Sequence, residues 1–253
     1  MIQIRKSWGI LCLLIAVNAM ADEAEPHFVL LQEYKPIYFI MGTPDTKVQF
    51  SFKGQLIREF PFYFAYTQLV MWELVNTGAP ILDVNFNPEL FYRVQMSESD
   101  GRWLDLGLFE HESNGHGTSP QERSWDRVSL TYHSTVDLGE KARLLWSLKA
   151  WIPFKLNSNN SDLIRYRGIW ELQMTLLNFL GPFFETNELS LRLYPGGASL
   201  TNPLEGGQEL TLKTKVNYRP FLPSLVLQFF HGYGENLLNY KDERLALRAG
   251  IGF

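Results

Sequence analysis

The chain has 253 residues, a formal net charge of −4, 45% hydrophobic and 14% aromatic residues, and one cysteine. Net acidity argues against a nucleic-acid partner, and after residue 21 no apolar run reaches the ~20 residues that a membrane-spanning helix needs. A chain this apolar without such helices reads as a soluble β-sandwich or as a closed β-barrel in a membrane, because lipid offers an open sheet edge no hydrogen bonds.

In chain order, residues 1–21 carry Arg5 and Lys6, the apolar run "WGILCLLIAVNAMA" and the small-residue pattern Ala19-Met20-Ala21 before Asp22. This predicts a secretory signal peptide at 1–21 and one mature domain at 22–253. Cys12 lies inside the signal, and Leu11 before it is not the small residue a lipoprotein signal requires. Losing Arg5 and Lys6 moves the net charge from −4 to −6, and the mature domain is stabilised without disulfides.

Turn signals divide the rest into about twelve strands, near 35–41, 46–57, 61–75, 87–97, 102–113, 125–134, 141–153, 163–177, 187–195, 207–218, 224–234 and 243–253. Strict alternation marks several of them. Leu144, Trp146, Leu148, Ala150 and Ile152 oppose Arg143, Ser147 and Lys149, while Trp170, Leu172, Met174 and Leu176 oppose Glu171, Gln173 and Thr175. Leu210, Leu212, Val216 and Tyr218 oppose Glu209, Lys213, Lys215 and Asn217, and Leu245, Leu247, Ala249, Ile251 and Phe253 oppose Arg244 and Arg248. Alternation fits both fold classes. The signal peptide, the terminal Phe253 and the even number of long strands favour an all-β, twelve-stranded antiparallel transmembrane barrel of the bacterial outer membrane. An interior crowded with Glu, Lys, Arg and Gln predicts a packed polar core rather than an open pore.

The stretch "HESNGHGTSPQERSWDR", residues 111–127, places His111 and Ser113 two apart, so on a strand their side chains leave the same face. Asp126 shares its face with Val128, Leu130 and Tyr132, a lipid-facing row on which an acid is costly unless paired. Joined by one hairpin, the three residue types suit a nucleophile, its base and an orienting acid. Unbroken alternation, however, puts His111 with Trp103, Asp105 and Gly107 and opposite Leu104, Leu106 and Leu108, so an outward-facing site requires a bulge or a change of frame near the loop. On residue types alone, His111-x-Ser113 reads more simply as a surface hydroxyl beside a solvated imidazole. The other histidines are scattered singly, and Asn157 to Ser161 reads as an exposed loop.

At these residues the chain resembles the outer-membrane phospholipase A family. The family's pattern is His-Asp-Ser-Asn-Gly-Arg, a short loop, then Ser-x-Ser-Trp-Asn-Arg; here stand His111-Glu112-Ser113-Asn114-Gly115-His116 and Glu122-Arg123-Ser124-Trp125-Asp126-Arg127. "YTQ" at 66–68, "NFNPELF" at 85–91, "DLIRYRG" at 162–168 and "GYGENLLNY" at 232–240 look like further family segments in the same order. The resemblance implies a twelve-stranded barrel with a site on its outer wall towards the outer leaflet, active as a calcium-dependent homodimer on the acyl esters of glycerophospholipids. It implies His111 as base, Ser113 as nucleophile and Asp126 where the family has asparagine. The family's calcium positions fall on Gly78, His116 and Glu122, with a further one near Asn159, all changed in side chain. Other expectations are a non-catalytic barrel, as channel or structural protein, or a hydrolase of another outer-membrane lipid.

Overall fold

The structure is a computed structural model and describes residues 31–75, 78–97, 101–181, 183–198, 200–216 and 223–253. The expected signal peptide and the pair Asn217 and Tyr218 lie outside the described residues. The strands are β1 (Gln32–Glu33), β2 (Tyr38–Thr43), β3 (Thr46–Ile57), β4 (Phe60–Trp72), β5 (Ile81–Ser97), β6 (Arg102–Ser113), β7 (Ser124–Leu138), β8 (Ala142–Leu156), β9 (Trp170–Leu177), β10 (Phe184–Gly196), β11 (Asn202–Val216), β12 (Ser224–Gly232) and β13 (Arg244–Gly252). Each pairs antiparallel with its neighbours, and β13 pairs β2, which closes the sheet. β1 and β2 both pair with β3, so they form one interrupted stave. Thirteen strands minus that one interruption make the expected twelve-stranded barrel.

Alternation sorts the two faces as the sequence predicts. On β12, Leu225, Leu227 and Phe229 are exposed on the outer wall, whereas Ser224, Val226, Gln228 and Phe230 are buried inside. On β13, Leu245 and Leu247 face outward and Arg248 is fully buried. The lumen is filled with paired charges. Arg248 bonds Glu235 and Asp45, Lys47 bonds Glu209 and Glu235, Arg192 bonds Glu171, and Lys149 bridges Glu89 and Glu110. The cavity among these groups is about 220 Å³, room for at least about seven waters at ~30 Å³ each.

Differences from the expected strands have local causes. Residues 34–37 leave the first stave and turn inward, where the Tyr34 hydroxyl and Lys35 Nζ reach Glu89. Strand β9 begins at Trp170 rather than 163, because residues 164–167 form a helical turn, α1 (Ile164–Arg167), ended by Gly168 at φ 60°. The segment 157–161 is not simply an exposed loop. Asn160 is fully buried, and its amide pairs with the backbone of Ser124, accepting from N and donating to O, both at 3.1 Å.

Turns at 58–59 and 139–141 are short, while loops 73–80, 114–123, 157–169 and 233–243 at the opposite end are long. Outer-membrane barrels carry their long loops on the extracellular side. At that end Leu163, Leu237 and Tyr240 from two loops pack with Trp125 and Trp151 to form an apolar plug inside the mouth.

Candidate active site

The site begins with a β-bulge. Gly107 pairs with Ser129 and Glu110 with Arg127, so β6 spends three steps where β7 spends two. The same extra residue appears against β5, between Leu90 and Phe91. Leu108 and Phe109 therefore both lie on the outer wall, 53% and 39% exposed. Alternation resumes in the opposite phase: Glu110 and Glu112 are buried in the lumen, and His111 and Ser113 share the outer row. This is the change of frame that the sequence required. At Gly107 a Cβ would stand 2.0 Å from Ser129 Oγ, so any larger residue there would require that hydroxyl to move.

His111 stands directly opposite Asp126, and its Nδ1 lies 2.5 Å from Asp126 Oδ1. That bond leaves Nε2 as the free ring nitrogen. Asp126 is only 8% exposed, with its other oxygen 3.9 Å from Lys155 Nζ, so the acid on the lipid-facing row is paired on both sides. Lys155 reaches it through a second bulge, where Asp126 pairs Lys155 but Arg127 pairs Pro153. Ser113 lies opposite Ser124 on the same outer row as His111. Among the described residues no hydrogen bond joins its hydroxyl to the imidazole; such contacts commonly tighten only with substrate bound.

The back of this hairpin is rigid. Arg127 lies between two buried carboxylates, bonding Glu110 and, at 3.2 Å, Glu112. Its guanidinium sits 3.8 Å from the Trp125 ring centre, and Trp125 Nε1 donates to Glu112 at 3.0 Å. Burying charges is tolerable only when they are paired in this way. Glu110 and Lys155 do not stand out in the sequence, because the first depends on the frame change at Leu108-Phe109 and the second on the bulge opposite Asp126 and Arg127.

Beyond Ser113 the loop is held by Asn114, whose Nδ2 donates to Gln121 O and whose Oδ1 accepts from Arg123 N, both at 2.9 Å. Three of the four expected calcium positions come close together. Asn159 Nδ2 lies 3.4 Å from the carbonyls of Ser119 and Glu122, and His116 O accepts from Ser119 N at 3.3 Å. No hydrogen bond among the described residues joins Gly78 to them; it sits in the β4–β5 loop at φ 87°. Among the described residues no cluster of three or more His, Cys, Asp or Glu side chains gathers here. A cation would rest on carbonyls and on the Glu122 carboxylate, which makes no hydrogen bond among the described residues. Such hard oxygen donors suit calcium.

Loops 157–169 and 233–243 lock together above the plug. The Tyr240 hydroxyl donates to Asp162, and Lys241 Nζ lies 2.8 Å from the same carboxylate. Burial and the Asp162 bond push the Tyr240 phenol up to about 12. Asp162 stays below the usual carboxylate range, since bonds from Lys241 and Tyr240 outweigh its slight burial.

The sequence profile of phospholipase A1 matches residues 16–253. A phospholipase A1 of Proteus vulgaris is 27% identical over 193 residues, which are 74% of this chain and 60% of that relative. The chain thus spans about three fifths of the length of that curated relative. Outer membrane phospholipase A from Escherichia coli superposes with a TM-score of 0.70 at 22% identity, covering 88% of this chain and 98% of that one. The Salmonella typhi outer membrane phospholipase dimer with bound calcium gives 0.68 at 22% identity, covering 88% and 92%. At that identity the likeness concerns the fold.

Proposed function

From the premise that the chain belongs to the phospholipase A1 family, we propose that it is a calcium-dependent phospholipase, cleaving acyl esters of glycerophospholipids as a homodimer. Its twelve-stranded barrel lies in the bacterial outer membrane. Residues 1–21 direct export, and the site opens towards the outer leaflet. The observation that carries the reading is the bulge at 107–110, which turns His111 and Ser113 out of the lumen and sets His111 against Asp126.

In this reading Ser113 Oγ attacks the ester carbonyl carbon as His111 Nε2 takes its proton. Asp126 holds the Nδ1–H tautomer and stabilises the imidazolium. As the tetrahedral intermediate collapses, the leaving glyceryl oxygen receives the proton from His111, and the acyl group stays on Ser113. A water molecule, deprotonated by His111, then releases the fatty acid and restores the serine. The acyl chain lies along the exposed apolar wall of Leu108, Phe109, Val128 and Phe154, where the Phe109 ring stacks 6.5 Å from the imidazole and lies 6.4 Å from Phe154. Calcium would be held by Glu122 and the His116 carbonyl, with Gly78 as the third expected position and a further site near Asn159, and would supply positive charge where the carbonyl oxygen becomes anionic. Dimerisation as a condition for activity makes physical sense for an enzyme embedded in its own substrate.

Hydrolysis of a purified phospholipid in detergent micelles, with and without a chelator, tests the reading when the same samples are cross-linked. Chelation is expected to remove both activity and dimer. Activity insensitive to chelator overturns the calcium assignment. Absence of hydrolysis in excess calcium, with release of fatty acid from lipopolysaccharide instead, overturns the phospholipid assignment.

A further inference from the structure

The β5–β6 ladder has a gap beside the base. Phe86 pairs with Ser113 and pairing resumes at Glu89 with Glu110, so Asn87 and Pro88, which count opposite Glu112 and His111, make no ladder pair. Pro88 has no N–H, and an interior strand between two partners is a poor place for proline. In an unbroken antiparallel ladder the residue at 88 donates to the carbonyl of His111. Proline leaves that carbonyl without its donor, at the residue whose backbone must hold the imidazole in register with Ser113.

We infer that Asn87 is a positioning residue for His111, its side-chain amide supplying the hydrogen bond that Pro88 cannot. Asn87 Nδ2 donates to His111 O at 2.9 Å. The same group lies 3.3 Å from Glu110 Oε1, and Asn87 Oδ1 accepts from Lys35 Nζ at 3.3 Å. Asn87 is 7% exposed on the lumen face, so water does not readily replace it. Both ends of the amide are engaged, its oxygen by a cation and its nitrogen by two oxygens, and this fixes its orientation. The bond also lies one residue beyond the bulge, where the strand has least support from regular pairing. Asn87 never touches substrate; it acts through the backbone of His111.

The inference rests on the His111–Ser113 reading, and its test separates the two. Asn87→Leu, purified as folded barrel, is expected to lower kcat about ten- to a hundredfold, the range for a misplaced catalytic group. KM stays within about twofold, because the substrate wall is untouched. Adding Pro88→Ala restores a main-chain N–H opposite His111 and is expected to recover most of kcat. The smaller Asn87→Ala likewise has no N–H to give and adds no charge beside Glu110. It should show the same loss and the same rescue, and it serves where leucine prevents folding. A kcat equal to wild type in the Asn87 variants, or a loss that Pro88→Ala does not recover, overturns the inference while Ser113-dependent hydrolysis persists. Undiminished hydrolysis by Ser113→Ala in a chain with Asn87 intact overturns the underlying reading instead.

Discussion

Ser113→Ala is expected to lower phospholipid hydrolysis by a factor on the order of 10⁴ to 10⁶, the range seen when a serine triad loses its nucleophile. The fold should not change, because the Ser113 hydroxyl makes no hydrogen bond among the described residues and the hairpin is held by other groups. Those are Asn114 on the loop and Arg127, Glu110 and Glu112 in the lumen. The control is the shift in gel mobility between unheated and boiled samples, which reports an intact barrel. Full hydrolysis by a folded Ser113→Ala barrel contradicts the assignment. His111→Ala should cost about as much, since residues of such a unit do not contribute additively.

The second large effect is structural. Arg127→Met is expected to destabilise the barrel by about 3–5 kcal/mol, the usual cost of leaving buried charge uncompensated. Arg127 is 5% exposed and pairs with Glu110 and Glu112, which are 1% and 9% exposed. Lys149 still reaches Glu110 at 2.8 Å, but among the described residues the one cation left near Glu112 is Arg167, at 3.7 Å, beside the Trp125 indole donor. The temperature at which the folded gel band disappears should fall clearly. Replacing Arg127, Glu110 and Glu112 together by methionine should recover most of it, because apolar groups of similar volume remove the desolvation cost. An unchanged transition in Arg127→Met contradicts the idea that this cluster anchors the hairpin of the candidate site.

Alternation was legible wherever a strand keeps one phase. The sets at 144–152, 170–176 and 245–251 fall on the faces expected, because lipid and a charged lumen demand opposite residue types along each strand. The site is different. Leu108 and Phe109 are consecutive apolar residues, and a phase change within them leaves no mark that distinguishes it from an ordinary buried step. Only the requirement that His111 share a face with Ser113 and meet Asp126 pointed to it, and only the register at Gly107 and Glu110 locates it. Asn160 misled for a related reason. Asparagine signals a loop, yet its amide can imitate a backbone pair, and here it extends the sheet alongside Ser124. The turn at 164–167 was hidden because Leu163, Ile164 and Tyr166 carry residue types that also suit a strand. Asn87 shows the converse: the motif "NFNPELF" was visible, but its role depends on which carbonyl Pro88 faces.

The most direct test of the central claim is covalent trapping at the outer wall. A long-chain alkylsulfonyl fluoride, partitioning into detergent micelles as a lipid does, reacts with a serine only where a positioned base takes its proton. Intact mass followed by peptide mapping should find one alkylsulfonyl group on Ser113 in the unmodified protein and none in His111→Ala. Modification elsewhere in the barrel, or equal labelling of Ser113 with and without His111, would contradict an activated serine built by the bulge.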